Sequence, residues 1–197
     1  MLKQLEKLDK YHVILASQSP RRKMLLEKLD IKFEVRTYRY YETLPPQIDP
    51  CDVAECIALQ KALYVPKDEL PKNFLLITAD TIVVIDGEIL GKPKDEKEAV
   101  TMLEKLSGKR HEVMTGVVIT TENVVKNFTE KSEVWFKDLT KTEIENYVRE
   151  YQPLDKAGAY GAQDAEAEII DRIEGSYFNV IGLPIGRVME ELLGIEF

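Results

Sequence analysis

Residues 74–85 read FLLITADTIVVI, an apolar, β-rich run interrupted at its centre by one carboxylate, Asp80. Such a run predicts a strand. The Asp86-Gly87 pair that closes it is the strongest short hairpin signal, returning the chain through Glu88, Ile89 and Leu90. A carboxylate inside an apolar strand is costly unless it is paired, hydrogen-bonded or bound to a metal. Asp80 is therefore either half of a structural ion pair or strand-end hydrogen bond, or a catalytic group, and it is the first catalytic candidate in the chain.

The run VILA at 13–16 predicts a second, shorter strand, and Ser19 followed by Pro20 marks a helix start, a hydroxyl cap and then proline at the first helical position. Met24, Leu25, Leu26 and Leu29 supply the apolar face of that helix. Arg21 and Arg22 fall in its first turn, where the dipole is positive and each cation costs on the order of 0.3–1 kcal/mol. Two readings stand. Both arginines reach out into water, or free backbone N–H groups, the hydroxyls of Ser17 and Ser19 and two guanidinium forks converge on a phosphate chain.

The remaining elements alternate. A strand at 33–35 leads into the tyrosine-rich, proline-punctuated loop TYRYYETLPPQIDP, whose length suits a functional or mobile segment. A helix is expected over 52–64, with Val53, Ile57 and Ala58 on its apolar face and Lys61 near its end, where a cation suits the dipole. Further helices are expected at 95–106, at 142–150 with Thr140 as cap, and at 184–193. Strands are expected at 112–120 and 134–136, and GSYFNVIGLPI reads as core strand, turn and helix start. Strands and helices interleaved through 197 residues predict an α/β fold with a mixed β-sheet and flanking helices, in one domain.

A net charge of −8 argues against a general binder of nucleic acid or acidic membranes, so any anion site is local. Cys51 and Cys56 fit no zinc or redox spacing, and His12 and His111 lie well outside their segment, so two free thiols in a reducing compartment are expected. The segment MLKQLEKLDKYHVILA lacks a signal-peptide core and cleavage site, and no apolar run approaches the ~18 residues of a membrane span, which points to the cytoplasm. The absence of GxGxxG, Walker, nucleophile-elbow and HExxH patterns removes the commonest dinucleotide, P-loop, serine-hydrolase and zinc-protease readings.

Three weaker signals remain. Lys92 in GKPKD follows the returning strand of the hairpin, either as a solvated turn lysine or as a charge near the element that carries Asp80. His111 begins a strand in HEVMTG, a placement more often structural than catalytic. DKAGAYGAQD, from Asp155, combines glycines with Lys156 and Gln163, as suits a backbone passing close to a ligand or a plain turn.

Taken in order, LASQSPRR, IALQKA, ADTIVVIDGEILGKP, LSGKRHEVMTG, PLDKAGAYGAQ and IEGSYFNVIGLPI closely resemble the Maf family of nucleoside triphosphate pyrophosphatases, from about Val13 to the last helix. The resemblance implies an elongated α/β fold of two lobes around a central cleft, related to that of inosine triphosphate pyrophosphatase, with residues 1–197 as a single domain. It implies hydrolysis between the α- and β-phosphates to a nucleoside monophosphate and pyrophosphate with Mg²⁺ or Mn²⁺. By position, Ser17, Ser19, Arg21 and Arg22 would meet substrate phosphate. Asp80 would be the catalytic aspartate with Thr81 beside it, joined by Lys61, Lys92 and Glu42, and Asp80 and Glu42 would be the metal ligands. Lys156 and Gln163 match the branch acting on dTTP and UTP.

A second branch acts on 7-methyl-GTP, and the family is also associated with arrest of septum formation, so a 7-methyl-GTP pyrophosphatase and a septum inhibitor acting by protein binding are the alternatives. No nucleic-acid or membrane partner is implied, and a homodimer stays open. Three positions depart from the family pattern: Tyr41-Glu42 replaces an acidic pair, Thr78 in TADT a glycine, and Asp164 a glycine after Gln163. The Gln163 amide, donor and acceptor in one group, suits the keto edge of uracil or thymine, with Thr81 expected to fix its orientation. Asp164 is expected beside the base, favouring bases that offer N–H donors and extending the range toward guanine-type substrates.

Overall fold

A computed structural model describes residues 6–41, 43–45 and 47–195. Its strands are β1 (His12–Ala16), β2 (Glu34–Arg36), β3 (Phe74–Ile85), β4 (Glu88–Leu90), β5 (Arg110–Thr120), β6 (Val125–Phe136) and β7 (Ile170–Glu174). Among the described residues they form one seven-stranded mixed sheet in the order β2-β1-β3-β5-β6-β7, with β4 paired to β3. Both β2 and β3 run parallel to β1, which places Leu15 opposite Val35 and Ile14 opposite Leu76. Flanked on both edges, β1 buries Val13, Ile14 and Leu15 in succession rather than alternately, as interior parallel strands do. The β3–β4 hairpin turns on Asp86 and Gly87, at φ 52° and 78°. Left-handed angles at both corner residues match the right-handed twist of the paired strands.

The helices are α1 (Pro20–Glu27), α2 (Pro50–Leu63), α3 (Glu96–Leu106), α4 (Lys141–Tyr151), α5 (Tyr177–Ile181) and α6 (Ile185–Leu193). Their starts follow local chemistry. Asp49 accepts from Cys51 N at 2.8 Å before α2, Asp95 from Glu98 N at 2.9 Å before α3, and Thr140 and Glu143 form a reciprocal capping box on α4. The mixed α/β architecture with flanking helices is the one expected. Two local expectations are overturned. β6 begins at Val125 rather than near 134, because its first half is mostly exposed or half-buried and carries no apolar run. The stretch read as a core strand after Gly175 is instead α5, where Ser176 Oγ accepts from Asn179 N at 3.2 Å and turns the chain into a helix.

The chain divides into two compact units. The first takes in the described parts of Met1–Asp80, Thr115–Glu130 and Gly182–Phe197, and the second Thr81–Met114 and Lys131–Ile181. In the first, Ile14, Leu25, Ala54, Leu76 and Val117 are buried, and α2 lies directly on β5. A Cβ added at Gly116 would stand 2.2 Å from the backbone nitrogen of Glu55, so only glycine admits this approach. In the second, Val83, Leu103, Leu106, Val134, Ile144 and Val148 are buried.

Candidate active site

In the first unit, Lys61 falls in phase with the buried residues Ala54, Ile57 and Ala58 of α2, so the helix period carries its ammonium inward. It is 9% exposed. Its Nζ donates to Asp80 Oδ1 at 2.5 Å and to the Ala79 carbonyl at 3.1 Å. Thr78 Oγ1 donates to Ala58 O at 2.7 Å, pinning α2 to β3 one turn before Lys61. The ring of Tyr40 lies 5.0 Å from the same ammonium, a cation–π contact. Lys61 is therefore the buried partner of Asp80 and not a surface cation tuned to the helix dipole.

Ser19 caps α1 by accepting from Arg22 N at 3.5 Å, and Ser17 Oγ accepts from Ser19 N at 3.2 Å. The first turn of α1 itself contains no acidic residue beside its two cations. Arg22 is half-buried, and its Nε donates to the Gly182 carbonyl at 2.9 Å. Burial pushes its guanidinium down from the usual range, the Asp80 carboxylate draws it back up, Arg21 pushes it down and Tyr40 raises it. Of the two readings of this helix start, reaching out into water does not describe Arg22. Ser17, Ser19, Arg21, Arg22, Lys61 and Asp80 all belong to this unit, whereas Glu42 lies outside the described residues. Its neighbour Thr43 is clasped by Gln60, whose amide accepts from Thr43 N at 3.0 Å and donates to Thr43 O at 2.6 Å.

In the second unit, Thr81 is the next residue of β3 and is half-buried. Lys92 is exposed in the turn after β4. That turn is tied to the DKAGAYG segment, because Gly158 N donates to Gly91 O at 3.0 Å. Gly158 has φ 67°, and a Cβ there would lie 3.0 Å from a Val83 methyl. The Lys156 side chain, 12% exposed, pairs with Asp155 at 3.0 Å. Gln163 Oε1 is buried and has no hydrogen-bond partner, so Thr81 does not orient the amide through that oxygen. Asp164 Oδ2 takes the hydroxyl hydrogen bond of Tyr147 at 2.7 Å. His111 is structural, fully buried between Phe136 and Tyr160 with Nε2 2.7 Å from the Tyr160 hydroxyl.

Sequence reasoning missed Tyr40 and Tyr147. Tyr40 lies beside two other tyrosines of a loop with no period to single it out, and Tyr147 reads as core because it shares the buried face of α4 with Ile144 and Val148. No helix among the described residues is long and apolar enough to cross a membrane, and no group of three or more His, Cys, Asp or Glu side chains gathers among them.

A mixed sheet whose strand β3 holds one carboxylate, with an ammonium on it and a guanidinium beside it, defines an α/β protein with a compact cluster of opposite charges. Residues 12–195 match the family described as Maf-like protein, and the chain belongs to that family. It is 47% identical over 190 residues to a dTTP/UTP pyrophosphatase of Phocaeicola vulgatus, covering 95% of this chain and 98% of that one. It is 46% identical over 191 residues to one of Porphyromonas gingivalis, covering 95% and 96%. A third relative of the same description, from Bacillus cytotoxicus, is 47% identical over 179 residues, covering 91% and 93%. The solved structure of the Staphylococcus aureus Ham1 protein shares the fold, with a TM-score of 0.53 at 16% identity over 93% of this chain and 98% of that one.

Proposed function

We propose that the chain is a nucleoside triphosphate pyrophosphatase hydrolysing dTTP and UTP to the monophosphate and pyrophosphate, with residues 1–197 acting as one domain. The observation that carries the reading is Asp80, held in the middle of β3 by Lys61 at 2.5 Å, in a chain whose relatives act on dTTP and UTP. Water attacks the α-phosphorus, its proton passes to the Asp80 carboxylate, and the bond to the β-phosphate oxygen breaks to release pyrophosphate. Lys61 keeps that carboxylate in one orientation. Arg21 and Arg22, at the start of α1, neutralise charge on the phosphate chain, with hydroxyls of Ser17 and Ser19 and the ammonium of Lys92 as further donors. Lys156, Thr81 and Gln163 are assigned to nucleotide recognition. The buried, unpartnered Gln163 Oε1 supports this, since a lone buried acceptor is costly until an N–H such as the imide of uracil or thymine reaches it.

The residues fit a divalent cation of the kind that takes few protein ligands. Lys61 uses one lone pair of the Asp80 carboxylate, which leaves others, and Mg²⁺ is commonly held by one or two carboxylates together with substrate phosphates. Asp80 and Glu42 are the residues we assign to it. When bound, Mg²⁺ or Mn²⁺ draws charge from the phosphate oxygens. Cys51 and Cys56 are not in a disulfide, which favours a reducing compartment and hence the cytoplasm.

The test is a panel of UTP, dTTP, CTP, GTP and 7-methyl-GTP with Mg²⁺ or Mn²⁺, products resolved by ion exchange. Monophosphate and pyrophosphate from UTP and dTTP are expected, with Asp80→Asn folded but at least about 10²-fold slower. Orthophosphate as the first product, a ranking led by 7-methyl-GTP, or full activity in Asp80→Asn would overturn the assignment.

A further inference from the structure

Residues Gly161 to Asp164 form a tight four-residue turn, closed by Asp164 N donating to Gly161 O at 3.1 Å, with Ala162 and Gln163 at its corners. One hydroxyl holds both ends. Tyr147 Oη accepts from Gly161 N at 3.0 Å and donates to Asp164 Oδ2 at 2.7 Å, using its acceptor and its only donor. Tyr147 is 3% exposed, anchored in the buried face of α4 and stacked on Tyr151 with ring centroids 4.9 Å apart. The turn is folded tightly on itself: a Cβ at Gly161 would stand 2.4 Å from Gln163 Nε2 and 2.8 Å from Asp164 Oδ2. The amide that carries the orphaned Oε1 therefore lies over Gly161, between the two residues that the Tyr147 hydroxyl clamps.

We propose that Tyr147 and Asp164 are positioning residues for nucleobase selection, a tyrosine–carboxylate clamp that fixes the 161–164 turn and so aims the Gln163 amide. The proposal rests on the base-recognition role assigned to Gln163. It gives the carboxylate at 164 a function other than meeting the base: Asp164 is the acceptor that keeps the Tyr147 hydroxyl oriented with its lone pairs toward Gly161 N. An oxygen acceptor suits that task, because the hydroxyl has only one hydrogen to direct and its lone pairs then face Gly161 N. An amide whose supporting turn is loose still binds nucleotides but discriminates less, because specificity lies in the penalty a fixed polar group imposes on the wrong edge.

The experiment measures kcat and KM separately for UTP, dTTP and CTP with Mg²⁺, in the full chain and in Gln163→Ala, Tyr147→Phe, Asp164→Asn and Asp164→Ala. Tyr147→Phe keeps the ring on Tyr151 and removes only the hydroxyl. It should cut the UTP-over-CTP preference about tenfold through a raised KM for UTP, with kcat within about twofold of wild type. Asp164→Asn retains an acceptor for the hydroxyl and should stay near wild type, whereas Asp164→Ala should follow Tyr147→Phe. A folded Tyr147→Phe protein with unchanged preference, or Asp164→Asn as damaging as Asp164→Ala, overturns the clamp. If Tyr147→Phe does not fold, the Asn and Ala variants at 164 decide the matter. A ranking that moves with Gln163→Ala but not with the clamp variants overturns the clamp alone, and one that ignores Gln163→Ala ends both it and the base assignment.

Discussion

The ammonium of Lys61 stands 2.5 Å from Asp80 Oδ1 and 3.1 Å from the carbonyl of Ala79, so one side chain of α2 grips two successive residues of β3. With side chains 10% and 16% exposed, neither charge is well solvated, and removing one deprives the other of a direct ion pair. Lys61→Met should cost about 3 kcal/mol in urea unfolding, the lower end for a buried pair broken from one side. In Lys61→Met combined with Asp80→Asn, where no buried carboxylate charge remains, a good part of that loss should return. Turnover should stay low in both. A single variant as stable as wild type would show that the pair contributes nothing to the fold.

The two arginines of α1 separate in their effects. Arg21→Ala removes a cation that opposes the helix dipole at the start of α1, and should leave the protein as stable or up to about 1 kcal/mol more so. Arg22→Ala also removes the bond to Gly182 O and should lower stability by about 1 kcal/mol. Both should reduce kcat/KM for UTP. Calorimetric melting temperatures beside steady-state kinetics check this, and an Arg21→Ala protein that melts earlier with unchanged kinetics would make that arginine structural.

The elements that organise this fold are legible because each carries its own local chemistry: an apolar, β-rich run broken by a single carboxylate for β3, Asp-Gly for its hairpin, hydroxyl caps for α1 and α4. The strand β6 was less so, since an amphipathic half-exposed strand leaves no apolar block to read. In the site, Asp80 announces itself by sitting where only apolar residues belong. Lys61 does the same in a helix, being in phase with Ala54, Ile57 and Ala58, but a cation near a helix end has a cheaper explanation in the dipole, so the residues alone do not single it out. Tyr147 and Tyr40 are invisible for the opposite reason: an aromatic on an apolar face or in an aromatic-rich loop violates nothing, and only coordinates show where its ring or hydroxyl goes.

Gly116 tests how closely α2 must lie on β5 to bring Lys61 to Asp80. A methyl there would stand 2.2 Å from Glu55 N and 2.3 Å from the Ala54 carbonyl carbon, atoms of backbone that no rotamer change can move. Gly116→Ala should cost about 3 kcal/mol, the upper end for overpacking. Because the helix has to lift, activity should fall with it even when measured well below the melting temperature. Gly186→Ala, inside α6 where an added Cβ meets nothing within 4 Å, is the matched control: activity should stay unchanged and stability should hold or rise by up to about 1 kcal/mol.

The buried imidazole of His111 sets an acid limit on stability. Desolvation holds it down at about 4, from an ordinary 6.5, with Phe136 and Tyr160 edge-on to the ring and the Tyr160 hydroxyl on Nε2. Between those values the unfolded chain binds a proton that the native protein refuses. The stability attached to this group is therefore complete above about pH 6.5, falls as the pH drops and is gone near pH 4, with a total on the order of 3 kcal/mol. Carboxylates add their own slope at the acid end, where Glu34, held down to about 2 by Arg36 and His12, still favours the folded state. The His111 share is isolated by comparing urea unfolding of wild type and His111→Phe at intervals from pH 4 to pH 8. The variant loses the Tyr160 partner and should be less stable at pH 8, but the gap should narrow steadily on acidification. A gap that stays constant across the whole range would mean that His111 titrates alike in the folded and unfolded chain.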